Sequence, residues 1–118
     1  MGITYEKLQK QRAIRKKQLE CALAEVVQRL KDMGANKIVV FGSYISGNIR
    51  RWSDLDILVV MPSIKTGKEW FKEIYDKMDV GVSADILPFT VEELKMKTET
   101  SSFIRHALRT GRLVYEKG

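Results

Sequence analysis

Asp54 and Asp56 stand either side of Leu55, directly before the apolar run Ile57-Leu58-Val59-Val60. Side chains alternate along an extended strand, so both carboxylates project from the same face. Like charges held that close repel, and carboxylates beside so apolar a run are costly unless a cation or hydrogen bonds compensate. A hard divalent ion answers both needs. Magnesium takes oxygen ligands in near-octahedral geometry and is commonly shared among one or two protein carboxylates, substrate phosphates and water. Two such ions, about 3.5–4 Å apart, can activate an attacking oxygen and neutralise a leaving group. An isolated Asp-x-Asp is more often a pair of turn acceptors in an exposed loop, so the surroundings decide between the two readings.

Upstream, Phe41-Gly42-Ser43 ends a buried strand and opens a short helix expected at Tyr44 to Gly47. Backbone N–H groups at such a turn can face phosphate oxygens. Gly42 permits close approach of the backbone, and the Ser43 hydroxyl can bond to the same oxygens. The spacing Gly42 to Gly47 is that of a P-loop, but Asn48-Ile49 follow where that motif requires Lys and then Ser or Thr, which excludes it. No Gly-x-Gly-x-x-Gly occurs either, so a dinucleotide-binding fold has no support.

Taken together, the segment Gly-Ser-Tyr-Ile-Ser-Gly-Asn-Ile-Arg-Arg-Trp-Ser-Asp-Leu-Asp-Ile-Leu-Val-Val from Gly42 to Val60 resembles the signature of the polymerase-beta-type nucleotidyltransferase superfamily. The likeness runs from Ile38 to Pro88 in detail, and the pattern Phe103 to Tyr115 is similar to the end of the small, stand-alone members. The resemblance implies an α/β (α+β) fold, a small mixed sheet flanked by helices, here with a long N-terminal helix. It implies a third metal-binding carboxylate at Asp85, in Val82-Ser83-Ala84-Asp85-Ile86-Leu87, which completes the metal site and helps deprotonate the acceptor hydroxyl. Asp54, Asp56 and Asp85 would then be both catalytic and metal-binding, holding two Mg2+ ions. The activity implied is transfer of a nucleoside monophosphate from a nucleoside triphosphate, ATP by resemblance, onto an acceptor hydroxyl with release of pyrophosphate. Many relatives carry a basic residue just before the second glycine of the turn, where this chain has Ser46. Arg50 or Arg51 can supply that charge, or can be plainly solvated. Ser53 caps or orients the acid pair, so Ser53 and Arg51 join Gly42 and Ser43 as candidates for nucleotide contact.

The elements that must position these residues can be read from periodicity. With 118 residues, 44% of them hydrophobic, the chain can bury one core, so a single domain over 1–118 is expected. From Tyr5 to Met33 there is no Gly or Pro, and Leu19, Leu23, Val26, Leu30 and Met33 form one helical stripe that Gly34 ends. Lys37 to Phe41, Leu55 to Met61 and Val80 to Leu87 read as strands, the last stopped by Pro88. Lys68 to Met78 is a helix whose Trp70, Phe71 and Tyr75 are expected in the core. Thr90 with Glu93 forms a capping box for a helix from Val91 to Lys97. Phe103 to Arg109 is a further helix ended by Gly111, and Leu113 to Tyr115 a short last strand. The loop Ser63 to Gly67 is expected to be the most mobile. Cys21, alone and among apolar neighbours, is expected to be packed.

Lys plus Arg number 21 against 15 Asp plus Glu, and the resulting +6 favours anionic partners. Lys7, Lys10, Arg12, Arg15, Lys16 and Lys17 crowd the first half of the long helix, either as a solvated end or as a contact for nucleic acid or a partner. His106 has no nucleophile or metal ligand around it and reads as a surface or packed residue. Trp52 can stack on a base or cover the core. No signal peptide or membrane-spanning run is seen, so a soluble cytoplasmic protein is expected. A domain this small supplies one wall of a site, so the acceptor must come with a partner. The family resemblance implies a helical HEPN-type toxin as that partner, adenylylated by this chain as its antitoxin, in a homo- or hetero-oligomer. The competing reading is a non-catalytic antitoxin or nucleic-acid-binding module with the same fold. Three clustered acids beside an apolar strand argue against it, and the basic helix is what it would use.

Overall fold

The structure is a computed structural model that describes residues 4–49, 54–78 and 84–118. Helix α1, Tyr5–Asp32, opens at Thr4, whose hydroxyl accepts from the Lys7 N–H at 3.2 Å. Leu19, Ala22, Val26 and Leu30 are its buried stripe, and the chain leaves it through Gly34 at φ 102°. Strand β1, Lys37–Phe41, leads into the single-turn α2, Ser43–Ser46, and β2, Leu55–Val60, follows. The rest of the chain is α3 (Gly67–Lys77), β3 (Ala84–Phe89), α4 (Val91–Thr100), α5 (Ser102–Thr110) and β4 (Arg112–Glu116).

The sheet order is β3-β2-β1-β4, with β2 and β3 parallel and the other pairs antiparallel. It is the expected small mixed sheet with helices and a long N-terminal helix. Ile38, Val40, Leu55, Ile57, Val59 and Ile86 point to one face, where they form a core with the stripe of α1 and with Trp70 and Ile74 of α3. Val39, Phe41, Leu58 and Val60 point to the other face, against Ile104 and Ala107 of α5 and Leu94 of α4. Because both faces are covered, β1 and β2 read as continuous apolar runs rather than alternating ones.

The helices on either side of β3 start in capping boxes. Thr66 with Glu69 opens α3, and the expected pair Thr90 with Glu93 opens α4. The segment expected to be mobile is a short turn fastened at several points: Ser63 donates to Glu92 at 3.0 Å, Lys65 pairs with Glu73, and Trp70 Nε1 donates to the Pro62 carbonyl at 2.8 Å.

Three expectations need correction. Cys21 is exposed, because the inward stripe runs through Leu19 and Ala22 and turns Cys21 to solvent. Phe71 and Tyr75 lie outside the core, 46% and 43% exposed, and pack on each other with ring centroids 4.4 Å apart. Pro88 does not stop its strand, since β3 runs through it to Phe89. β3 is at the sheet edge, and the Ile86 N–H points outward to the Tyr75 hydroxyl at 3.1 Å. Two residues on, the Pro88 nitrogen faces the same outer side, where a missing N–H breaks no ladder bond. The strand expected from Val80 is described from Ala84, and its earlier residues lie outside the described ones. Among the described residues no helix is long and apolar enough to cross a membrane.

Candidate active site

The apolar residues of β2 fix the direction of the acids between them. Leu55 and Ile57 are fully buried toward α1 and α3, so Asp56 must point to the opposite face. In the sheet register Asp56 lies beside Phe41 of β1 and beside Asp85 of β3. Neighbours in register share a face, so Asp56 and Asp85 stand side by side at the α5 end of the molecule. Asp54 is at the mouth of the strand, directly before β2.

The electrostatics carry the mark of this crowding. Burial pushes the Asp56 carboxyl above the ordinary carboxylate range, and the negative charges of Asp85 and then Asp54 push it further. Asp54 is met by a cation from the chain itself: the Arg15 guanidinium of α1 lies 3.7 Å from its Oδ1. Among the described residues no group of three or more His, Cys, Asp or Glu side chains is arranged to hold a metal ion. The donor chemistry nonetheless fits one. Asp56 is half-buried beside two further carboxylates, an oxygen-only set whose mutual repulsion a hard divalent cation would relieve.

The Gly42 turn and Asp56 are in contact. Gly42 has φ 78° and ψ −152°, a conformation essentially confined to glycine, and it caps α2. A Cβ at this position would approach the Asp56 carboxyl carbon to 3.0 Å. The glycine therefore both makes the turn and leaves room for Asp56. The N–H groups of Ser43 and Tyr44 belong to the first turn of α2, which has no intrahelical acceptor for them.

A cleft of about 520 Å³ opens at this place, with Gly42, Ser46 and Asp56 on one side and Phe103, His106 and Thr110 of α5 on the other. Phe103 meets Phe41 edge-on, with ring centroids 5.8 Å apart. His106 Nδ1 is 3.2 Å from an Arg109 guanidinium nitrogen. From the sequence His106 is expected on the surface or in the core, and neither Phe103 nor Thr110 is a site candidate. Their signal was a shared helix face adjoining Ile104 and Ala107, although nothing local says what that face meets. A larger hollow of about 820 Å³ lies at the far end of β2, by Val60, between α4 and the strand ends of β1 and β4. It holds none of the three aspartates.

The structure therefore brings together Gly42 and Asp56, and Asp56 and Asp85, with Asp54 beside them at the strand mouth. Arg51 and Ser53, with Arg50 and Trp52, lie outside the described residues. Arg15, expected from sequence in a solvated helix end or a contact for nucleic acid or a partner, is an addition to the site. With this geometry in view, comparison with known proteins gives one clear result: the sequence model of the nucleotidyltransferase domain family matches residues 20–109. No curated protein matches the chain.

Proposed function

The chain belongs to the nucleotidyltransferase domain family, and on that premise we propose that it transfers AMP from ATP to an acceptor hydroxyl, working as one domain over residues 1–118. The observation that carries this reading is the row Phe41, Asp56, Asp85 across three strands, with Gly42 in contact with Asp56. It supports the reading because a carboxylate pair and the Gly42 turn meet at one point.

In this proposal Asp54, Asp56 and Asp85 hold two magnesium ions. When bound, magnesium supplies charge neutralisation for the triphosphate and the departing pyrophosphate. Gly42 and Ser43 hold phosphate oxygens through backbone N–H groups and the Ser43 hydroxyl. Asp85 takes the proton of the acceptor hydroxyl. The acceptor oxygen forms its bond to the α-phosphorus as the bond from that phosphorus to the pyrophosphate oxygen breaks. The α5 wall of the cleft, with Phe103 and His106, limits the directions from which nucleotide and acceptor can enter. Ser53 and Arg51 remain candidates for nucleotide contact by sequence alone.

For the acceptor we propose a hydroxyl side chain on a HEPN-type helical partner protein, with this chain acting as the antitoxin of a toxin–antitoxin pair in the cytoplasm. The openness of the site supports a macromolecular acceptor: Asp85 is exposed and Asp54 is half-exposed at the strand mouth. The test is incubation of the chain with labelled ATP, magnesium and a candidate HEPN-type helical protein. Label on the partner is expected, with loss of at least about 100-fold in Asp54→Asn with Asp56→Asn, which removes charge at nearly constant shape. Should that variant still neutralise the toxin while labelling nothing, the chain acts by contact alone and the enzymatic reading falls.

A further inference from the structure

The buried stripe of α1 changes its chemistry partway along. Leu30, Val26, Ala22 and Leu19 are buried at steps of four, four and three, and the same face continues to Arg15, Arg12 and Leu8. All three of these are half-buried, whereas Lys7, Lys10, Lys16 and Lys17 are exposed. Two arginines thus occupy the inward face of the helix where apolar residues held it before. Arg15 does so beside an acid: with its side chain 16% exposed, it is the cation 3.7 Å from Asp54, and Arg12 lies one turn before it on the same face. Tyr44 of α2 packs against the same core that the buried stripe of α1 enters, so the helix and the element following Gly42 share one core.

The two guanidiniums are served differently by what surrounds them. Arg15 Nη1 donates to Gln18 at 3.2 Å, and its 3.7 Å approach to Asp54 is a charge contact, too long for a hydrogen bond. Arg12 Nε is shielded from solvent and has no hydrogen-bond acceptor among the described residues. A buried guanidinium donor without an acceptor is costly, and planar forks of this kind match phosphate oxygens two at a time. A nucleic acid backbone would more naturally meet the four exposed lysines than two arginines turned inward.

We propose that Arg12 and Arg15 grip the β- and γ-phosphates of the nucleoside triphosphate, a role that rests on the nucleotidyl-transfer reading of Asp54 and Asp56. Without nucleotide Arg15 neutralises Asp54. With nucleotide bound, its guanidinium turns to phosphate oxygens and leaves Asp54 to the cation, while Arg12 Nε gains its acceptor. These residues precede the stretch that matches the family, residues 20–109. They also answer the absence of a basic residue at Ser46.

The test uses the full chain and an ATP analogue with a methylene group between the α- and β-phosphorus, titrated calorimetrically with magnesium, beside AMP as control. Arg12→Gln and Arg15→Gln are each expected to weaken analogue binding about 10-fold, and the double variant more, with AMP affinity unchanged. Arg12→Lys and Arg15→Lys keep charge and stem but lose the fork, and several-fold weakening is expected even if the glutamine variants misfold. Analogue affinity within twofold of the parent in the lysine and glutamine variants overturns the proposal and leaves nucleotidyl transfer standing. Equal losses for analogue and AMP overturn it too, since the β- and γ-phosphates would not be what is gripped. Loss of binding to a single-stranded oligonucleotide with analogue binding intact assigns the arginines to nucleic acid instead. If the parent chain binds no analogue at all with magnesium present, the nucleotide site itself is wrong.

Discussion

At Gly42 two demands meet that only one residue type satisfies. The backbone is at φ 78° and ψ −152°, and the place of a side chain is taken by the Asp56 carboxyl group. Alanine there must strain the turn, at a cost of about 1–3 kcal/mol, and must also push Asp56 out of line with Asp85. Gly42→Ala is therefore expected to lower the denaturant midpoint modestly and to slow nucleotidyl transfer by far more than that loss of stability explains. If transfer and stability fall only in step, the contact between turn and acid has no functional weight. The same residue marks how far the sequence could be read. Gly42, Ser43, Asp54 and Asp56 were legible because turn and strand chemistry are local, and alternation alone fixed the face of the acids. Arg15 and the α5 wall were not, because a helical stripe says which residues share a face and leaves open what that face meets.

Among the elements, edge strand β3 is the one whose position the site cannot do without, and it has a neighbour on only one side of the sheet. Tyr75 of α3 supplies a substitute on the other. Its hydroxyl donates to the Ala84 carbonyl and accepts from the Ile86 N–H, both at 3.1 Å, clasping the strand on either side of Asp85. Periodicity had assigned Tyr75 to the core, and Pro88 to the end of β3. Both readings failed for one reason: neither the edge position of the strand nor the partner along it is a local property. Tyr75→Phe leaves the ring packed on Phe71 and removes both bonds, at a cost of about 1 kcal/mol since the site is partly exposed. Faster hydrogen exchange at the Ile86 amide is expected, together with a several-fold lower transfer rate at nearly unchanged affinity for the ATP analogue. An unchanged rate at saturating acceptor would mean that β2 alone holds Asp85 in place.

For the molecule as a whole, the acids are a liability that the fold bears without metal. Burial, then Asp85 and Asp54, raise the Asp56 carboxyl, so the folded chain binds a proton there more tightly than the unfolded chain does. Between the ordinary carboxylate value and the raised one, the unfolded state holds fewer protons, and this residue's contribution to stability falls as pH rises. Glu69, Glu73 and Glu92 act in the opposite sense. Their carboxyls are lowered, first by the Thr66 backbone, by Lys65 and by the Glu92 backbone respectively, and their contribution is lost as pH falls. Because both trends act at once, the pH profile of the parent chain alone cannot isolate Asp56, and the difference from Asp56→Asn can. In chelator, the variant is expected to melt at higher temperature than the parent near neutral pH, with the gap closing as pH falls through the window in which Asp56 takes up its proton. Magnesium is expected to raise the melting temperature of the parent more than that of the variant, because a ligand that binds only the folded state stabilises it by mass action and the variant has lost one of its holders. A variant less stable than the parent at neutral pH in chelator would mean that the aspartates are already compensated, by Arg15 and its surroundings, and do not strain the fold.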